Sequence, residues 1–171
     1  MSSAHQLVLA LPKTTARVLP VDLKRALNRA LLDATRNGHL TGMKNLLDQG
    51  ANVNTRNTYD ETGENYNNYR EDAPTLIVAI LERQFESFKL LLERGADPDQ
   101  RDGSIGITPL MFCAFELLEH YAKLLLEHSA RKDLTTDQGH TLHSFLEMHL
   151  KLRNNAAAVR FETLINSYGE K

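Results

Sequence analysis

The chain has 171 residues and a formal net charge of −2 at pH 7, with 42% hydrophobic and 25% charged residues. This length suffices for one sizeable core, and the weak net charge argues against a dedicated nucleic-acid binder. The single cysteine, Cys113, excludes an internal disulfide and fits a reducing, cytoplasmic environment. No apolar run approaches the roughly 18 residues that a membrane-spanning helix needs, so no membrane partner is expected.

Residues 1–21 contain Lys13 and Arg17 but no acidic residue, and prolines interrupt them at positions 12 and 20. We interpret this stretch as an N-terminal arm that lies over the first part of the fold. A transit peptide is the alternative on composition.

The sequence repeats internally after this arm. GANVN at residues 50–54 returns as GADPD at 95–99 and, in weaker form, as SARKD at 129–133. A leucine-rich stretch precedes each copy: MKNLLDQ, FKLLLER and YAKLLLEH. A repeat of this kind predicts supersecondary units that stack side by side. Such stacks present an extended surface rather than a catalytic cleft.

Helical spacing begins after the second proline. The apolar residues of the first predicted helix share one stripe: Leu23, Ala26, Leu27, Ala30 and Leu31. Asp22 is its predicted N-cap, and the helix is expected to stop at Asn37-Gly38, where glycine permits a left-handed turn. The second helix directs three apolar residues inward and ends at Gly50; they are Met43, Leu46 and Leu47.

The next two copies predict helices over 75–82 and 85–93, then over 109–116 and 119–127. Pro109 suits the first position of its helix, because the N–H that proline lacks would be unpaired there. The fourth copy opens at His140 and closes at Gly169, with two longer helices joined near residues 153–155. The pattern as a whole predicts an all-α fold.

These motifs resemble the ankyrin repeat. The matching stretches are NGHL (37–40), LLDQGANVN (46–54), LLLERGAD (90–97), TPLM (108–111), LLLEHSA (124–130) and TLH (141–143). The resemblance covers residues 22–171 and implies an α-solenoid of four helix-turn-helix repeats. Their bounds are about 22–57, 73–106, 107–139 and 140–171, and the first and last are expected to be caps.

The chain departs from the family pattern at several positions. Arg83 and Leu117 replace the glycine between the two helices of the second and third copies, so those turns are expected to adopt another geometry. Of the histidines at the start of the first helix in each repeat, only His143 is kept.

An insertion, residues 58–72, separates the first two copies and has the sequence TYDETGENYNNYRED. It holds three of the five tyrosines, Tyr59, Tyr66 and Tyr69, and five acids against one base. One interpretation is a solvated loop, since long surface insertions cost little stability. We favour a contact loop, because tyrosine supplies rigid amphipathic contact area and long loops in compact domains are often functional. A partner with a basic surface would complement its charge.

The resemblance also implies a partner-facing concave surface, formed by the ends of the first helices and the tips of the connecting segments. For the apolar Leu81 and Phe115, packing within the fold is an equal alternative to partner contact. The positions carried over by register are Arg36, Leu81, Glu82, Phe115 and Glu116 at helix ends, and Arg101, Ile105 and Ile107 at a tip.

Other constellations predict no chemistry. His140, His143 and His149 could share a helix face but lack a completing ligand, so no metal or cofactor is expected. Cys113 is expected to be buried and inert. The acids Asp97, Asp99 and Asp102 are interpreted as solvated turn residues rather than an acid–base pair.

The sequence therefore predicts a protein–protein interaction module without catalytic residues, monomeric alone and acting as a stoichiometric inhibitor or adaptor. A bacterial immunity-type protein or a secreted effector is the alternative within the same class. A metal-dependent enzyme using the histidines of the fourth repeat, and a structural subunit of a larger complex, are the hypotheses from other classes.

Overall fold

The computed structural model describes residues 20–57, 72–151 and 155–169. Regular structure in these ranges is mostly helical, which confirms the all-α class. The elements are α1 Val21–Arg36, α2 Leu40–Asp48, β1 Arg56–Asn57, β2 Ala73–Pro74, α3 Thr75–Leu81, α4 Phe85–Glu93, α5 Pro109–Glu116, α6 Glu119–Glu127, α7 Leu142–Lys151 and α8 Ala156–Ser167.

The helix bounds follow the sequence signals closely. The predicted limits of α4, α5 and α6 are confirmed, and α3 ends one residue earlier than predicted. Thr108 caps α5 by accepting a hydrogen bond from the backbone N–H of Met111 at 3.3 Å. The prediction that Asp22 caps α1 is wrong, because Pro20 holds that position and Asp22 lies in the first turn, where its charge favours the helix dipole.

Consecutive helices pack as pairs, and each pair packs against the next. We call α1, α3, α5 and α7 the first helices, and α2, α4, α6 and α8 the second helices. Each first helix contacts the neighbouring first helix, and each second helix contacts the neighbouring second helix. Helices α3 and α5 are buried along most of their length, because neighbours cover them on both sides. Between second helices, the Tyr121 ring meets Phe85 and Phe88 edge-on at 5.1 and 5.0 Å.

The turns between the two helices of a pair keep one backbone conformation despite different residues. Gly38, Arg83 and Leu117 have φ angles of 67°, 55° and 55°, all in the left-handed region. The expectation of another geometry at Arg83 and Leu117 is therefore wrong. The backbone is retained at a steric cost of about 1–2 kcal/mol for each residue that carries a side chain. Ser129, with φ 66°, is also left-handed. It occupies the position after α6 that Gly50 and Gly95 occupy after the earlier second helices.

The segments that connect one pair to the next carry repeated hydrogen bonds, and we call them fingers 1 (residues 51–57 and 72–74), 2 (96–108) and 3 (130–141). The Oδ1 atom of Asn54 in finger 1 accepts from the N–H of Asp97 at 2.8 Å. In finger 2, Oδ1 of Asp99 accepts from the N–H of Arg131 at 2.9 Å. We call these two bonds rungs, because they join equivalent positions. In each rung, the acceptor lies four residues after the turn that ends one second helix, and the donor lies two residues after the turn that ends the next second helix.

Finger 1 contains a short β-ladder that the helical pattern did not predict. Strands β1 and β2 pair antiparallel, with Arg56 opposite Pro74 and Asn57 opposite Ala73. The Thr75 hydroxyl and N–H both donate to the Thr55 carbonyl, at 2.7 and 2.9 Å, and so fix the entry into α3.

The fourth pair is tied to finger 3 at the end of α8. Nζ of Lys132 donates to the carbonyls of Ile165 and Tyr168, at 3.3 and 2.6 Å, where the last carbonyls of a helix lack intrahelical partners. Asn155 caps the start of α8 by accepting from Ala157 N–H at 3.1 Å. The rest of the predicted joint, residues 153–154, lies outside the described residues. Among the described helices, none has the length and apolarity that crossing a bilayer requires.

Candidate protein-interaction surface

The insertion leaves and re-enters the fold at one bonded point. Its tyrosines, Tyr59, Tyr66 and Tyr69, lie outside the described residues. At its two ends, the N–H of Asp72 donates to the carbonyl of Asn57 at 2.9 Å. The guanidinium of Arg56 reaches the carbonyl and Oδ2 of Asp72, both at 2.9 Å.

The same arginine connects the insertion to finger 2. Its second nitrogen, Nη2 of Arg56, donates to the carbonyl of Arg101 at 2.8 Å. Both ends of the insertion are therefore fixed to each other and to the neighbouring finger. Because charge-assisted hydrogen bonds are stronger than neutral ones, this arginine is the main polar link at the base of the insertion.

Negative charge is concentrated in the insertion. Residues 58–72 carry a net charge of −4, whereas the whole chain carries −2, so all other residues together are positive by two charges. These two positive charges belong to Lys13 and Arg17 in residues 1–21, so the acidic insertion stands against a remainder, residues 22–57 and 73–171, that is neutral, with 17 basic and 17 acidic residues. This distribution favours a basic binding surface on any partner that meets the insertion.

Arg36 is a fixed part of the fold rather than a free surface contact. Its side chain is 12% exposed and bonds to Asp33 at 2.9 Å and to Oδ1 of Asn57 at 2.8 Å. The Arg36 carbonyl also accepts from Nε2 of Gln84 at 3.1 Å. This network ties the end of α1 to the residue that precedes the insertion.

The exposed ends of α3 and α5 are joined by an ion pair. Arg83 and Glu116 meet at 2.8 Å across neighbouring pairs, in a geometry the sequence did not predict. Leu81 is half-buried and packs against the core, so the packing alternative left open for it is supported. Glu82 is half-buried beside it.

Phe115 both packs and remains accessible. It is 38% exposed, and its ring meets Phe145 edge-on at a centroid distance of 6.3 Å. The imidazole of His149 lies 6.4 Å from the same ring, and its Nε2 atom is 2.7 Å from the Phe115 carbonyl. Phe145 and His149 were not predicted as surface residues, although their i, i+4 spacing on α7 places them side by side.

The finger 2 residues fall into two groups. Arg101 is accessible and pairs with Asp137 at 3.5 Å, and Ile105 is half-buried against the core. The prediction that Ile107 lies at the tip is wrong, because Ile107 is 1% exposed. Its N–H donates to Oδ1 of Asp102 at 2.8 Å and its carbonyl accepts from the N–H of Asp102 at 2.9 Å.

Asp102 also departs from its predicted role. It is 4% exposed rather than solvated, and its Oδ1 accepts from the N–H groups of Ile105 and Ile107. A carboxylate that accepts backbone N–H groups organises a turn. This aspartate therefore shapes finger 2 and turns Ile107 into the core.

The histidines of the fourth pair each have separate neighbours. His143 lies 3.3 Å from Glu147 and 3.9 Å from Glu162, whereas the His140 ring packs on Phe145. Within residues 20–57, 72–151 and 155–169, no three histidine, cysteine or acidic side chains converge as a metal site would require. Cys113 is fully buried as predicted, and burial raises the pKa of its thiol far above the usual range, so the reactive thiolate is disfavoured.

An open groove of about 970 Å³ lies between finger 3 and α7–α8. The charged groups along it are paired with one another, with backbone atoms or, for Glu127, with Lys123 at 4.0 Å and the Tyr168 hydroxyl at 3.4 Å. Arg131 meets Asp133 at 2.7 Å, and Lys132 is held by the carbonyls at the end of α8. Polar groups already satisfied in this way do not form the converging set that a catalytic site needs.

No protein-family model matches this sequence. The resemblance to ankyrin repeats therefore stays a prediction that rests on the sequence motifs.

Proposed function

We propose that this chain is an ankyrin-type α-solenoid of four repeats, and that it acts as a protein-binding module, a stoichiometric inhibitor or adaptor. The stacking of helix pairs and the two equivalent rungs support the solenoid. The anchored base of the insertion is the single observation that carries the binding function.

The anchoring matters because ordering costs oppose binding. Freezing a rotamer-rich side chain costs about 0.5–1.5 kcal/mol, in addition to the entropy of association. An insertion with both ends fixed by Arg56, Asn57 and Asp72 has fewer conformations to lose than a free tail of equal length. Its tyrosines then add contact area with few rotatable bonds.

The partner surface is proposed to be basic and to meet both the insertion and the ends of the first helices. The insertion carries the negative charge, and Phe115 and Glu116 supply accessible area on α5. An inhibitor, an adaptor, an immunity-type protein and an effector would all use this surface. The identity of the captured partner separates them.

The experiment replaces residues 58–71 with Pro-Asp, so that the two new residues and Asp72 form a three-residue hairpin loop built on a type I turn. Asn57 is already paired with Ala73, the Asp72 N–H already donates to the Asn57 carbonyl, and Asp72 is already left-handed with φ 58°, so this replacement is expected to leave the melting temperature unchanged. Affinity capture with the intact chain identifies the partner, and calorimetry then compares both forms. We expect the replacement to weaken binding at least tenfold, about 1.4 kcal/mol.

Tyr66→Ala combined with Tyr69→Ala is expected to reproduce most of this loss. Val159→Ala is the control for removing an exposed apolar side chain, because Val159 is 50% exposed on α8, a second helix that is not part of the proposed surface. Equal affinity of the intact and the shortened chain would make the insertion a spacer and contradict the proposal.

A further inference from the structure

The rung pattern points to a third acceptor in finger 3. The two rung acceptors, Asn54 and Asp99, each lie four residues after the left-handed residue that follows a second helix. Asp133 lies four residues after Ser129 and so holds the same position. Within the described ranges, the hydrogen bonds that its carboxylate accepts from another residue come from the guanidinium of Arg131, at 3.0 and 2.7 Å. A carboxylate has about four lone-pair sites, so Asp133 can still accept a backbone N–H.

The backbone does not turn toward this acceptor after α8. The residue after each earlier second helix has a ψ angle near zero: −3° at Gln49, 12° at Arg94 and 20° at His128. Tyr168, at the same position after α8, has ψ 99° and is extended. The next residue, Gly169, is not left-handed, unlike its three counterparts after the earlier second helices. The chain therefore leaves α8 without the turn that brings fingers 2 and 3 to their rungs.

Lys132 satisfies the end of α8 in place of that turn. After α4, the N–H of Ala96 donates to a carbonyl of the last helical turn at 2.9 Å. After α8, the carbonyls of Ile165 and Tyr168 accept from Nζ of Lys132 instead. The end of α8 thus needs no finger behind it. The open groove of about 970 Å³ lies between this helix end and Asp133, and we call it the finger 3 groove.

The earlier fingers show which segment fits beside a rung acceptor. The residue after each left-handed turn is a buried alanine: Ala51, Ala96 and Ala130 are 8%, 5% and 8% exposed. In fingers 2 and 3, the residue after that alanine donates the rung N–H. In this register the chain itself offers Glu170 at the alanine position. A carboxylate is costly to bury without a partner, so an alanine from another protein suits the groove better.

The charges along the finger 3 groove favour a basic segment. Three acids and two bases line it, with histidine counted as neutral: Glu127, Asp133 and Glu162, and Arg131 and Lys132. Both bases are held by hydrogen bonds of 2.7 and 2.6 Å. The acids on the helices are held less closely, because Glu127 lies 4.0 Å from Lys123 and Glu162 lies 3.9 Å from His143. A cationic side chain in the groove would complement them.

We propose that the finger 3 groove binds a short segment of a partner protein in which an alanine precedes a basic residue, and that the backbone N–H of this basic residue donates to Asp133. The segment takes the place that residues 96–97 and 130–131 take beside the two rungs. This site lies outside the insertion and the ends of the first helices. The inference therefore goes beyond the proposed function and does not depend on it.

The test titrates ¹⁵N-labelled full chain with acetyl-Gly-Ala-Arg-amide. A dissociation constant on the order of 1 mM suits a peptide of this size. We expect the backbone amide signals of residues 130–134 and 165–169 to shift, while those of residues 51–57 stay in place. The matched control peptide carries a methyl group on the backbone nitrogen of its arginine. It keeps the charge but cannot donate, and we expect it to bind at least tenfold more weakly.

Variants of finger 3 separate the rung from general attraction between charges. Asp133→Ala should weaken the parent peptide at least tenfold and leave the methylated peptide unaffected, because that peptide makes no bond for the variant to lose. Asp133→Asn keeps an acceptor, as Asn54 does in finger 1, and should bind within about threefold of the parent chain. Asp137→Ala is the matched control, since Asp137 is an exposed aspartate of the same finger whose partner is Arg101.

Three results with the peptides would overturn the inference: no saturable shift in residues 130–134, equal binding of the methylated peptide, or full binding by Asp133→Ala with its finger 1 signals intact. Two further results would assign the groove to another occupant and also overturn it. Tenfold tighter peptide binding after removal of residues 170–171 would mean that the chain fills its own groove. Movement of the finger 3 signals on dilution of the protein alone would mean that a second copy does so.

The insertion is tested separately from the finger 3 groove. The chain shortened at residues 58–71 should bind the peptide as the intact chain does. If it does so but also keeps full affinity for the captured partner, the proposed role of the insertion fails and the groove stands. If the peptide does not bind while shortening weakens partner capture, the groove fails and the proposed function stands.

Discussion

In both the fingers and the exposed ends of the first helices, the backbone conformation repeats from one helix pair to the next. The side-chain contacts repeat in the fingers but not at the helix ends. In the fingers, Asn54 and Asp99 accept equivalent backbone N–H groups at 2.8 and 2.9 Å. At the helix ends, an ion pair of Arg83 and Glu116 gives way to apolar residues one junction later.

This difference follows from what each region must satisfy. A rung joins two neighbouring fingers through a backbone N–H, so a replacement side chain keeps this contact only if it is also an acceptor. The ends of the first helices have their backbone requirements met by the turns, so their side chains can vary. The fingers therefore repeat the chemistry that stacking needs, whereas the side chains at the helix ends are free to vary, as the proposed binding function requires.

The largest expected effect comes from breaking a rung. Asn54→Ala removes the acceptor of the Asp97 N–H, and we expect a loss of about 1–2 kcal/mol in the free energy of unfolding, typical of a lost side-chain acceptor. Urea denaturation measures it. Asn45→Ala, at an exposed position on α2, is the matched control and should be nearly neutral. Equal effects of the two variants would show that the rung does not stabilise the stack.

A second variant tests the left-handed turns. Ser129 is exposed with φ 66°, and Ser129→Gly relieves that conformation while adding freedom to the unfolded chain. We expect a net gain of about 0.5–1 kcal/mol in the free energy of unfolding, because the steric cost that is relieved exceeds the entropy cost that is added. A glycine variant that melted below the parent in thermal denaturation would contradict this expectation.

The helix-end ion pair should matter little to stability. The side chains of Arg83 and Glu116 are 53% and 33% exposed, and pairs of this kind contribute roughly 0–1 kcal/mol. Arg83→Leu with Glu116→Met gives the α3–α5 junction the residue types that Leu117 and Met148 supply at the equivalent positions of the next junction. We expect less than about 0.5 kcal/mol of change. A loss of several times that size, measured by denaturation in low salt, would make the pair structural.

The smallest expected effect comes from the negative charge of Asp99, the acceptor in the second rung. Burial raises the pKa of Asp99, with help from Asp97 and Asp133, although its hydrogen bond to the Arg131 N–H opposes the shift. A folded-state pKa above the unfolded value means that stability is present at low pH and is lost as the pH rises through the folded pKa.

Asp99→Asn keeps the acceptor, as Asn54 does in finger 1, and removes the charge. Since Asp99 is partly exposed and screened, we expect a gain of only about 0.3 kcal/mol at pH 7. The gain should disappear in acid, where the aspartate is protonated. A gain that persists unchanged in acid would assign the effect to something other than ionisation.

Much of the fold could be predicted from the sequence, since leucine-rich stripes, glycine turns and Pro109 are local signals. The bounds of α4, α5 and α6 show this. Local signals fail where tertiary bonds decide. Asp102 has the sequence context of a solvated turn residue, yet its bonds to backbone N–H groups bury it and turn Ile107 inward.

The candidate site was less predictable for the same reason. Phe115 stood out because an apolar residue occupied a position expected to be polar. Phe145 and His149 become surface partners only through the packing of α7 on α5. Arg36 matched a family position, but its bonds to Asp33 and Asn57 depend on where α1 ends relative to finger 1.

The most direct test of the recognition surface is hydrogen–deuterium exchange of the intact chain with and without its captured partner. We expect slower exchange in the insertion and at the ends of α5 and α7 upon binding, with α2, α4 and α6 unchanged. Protection confined to α2, α4 and α6, with the insertion exchanging as before, would contradict the proposed surface.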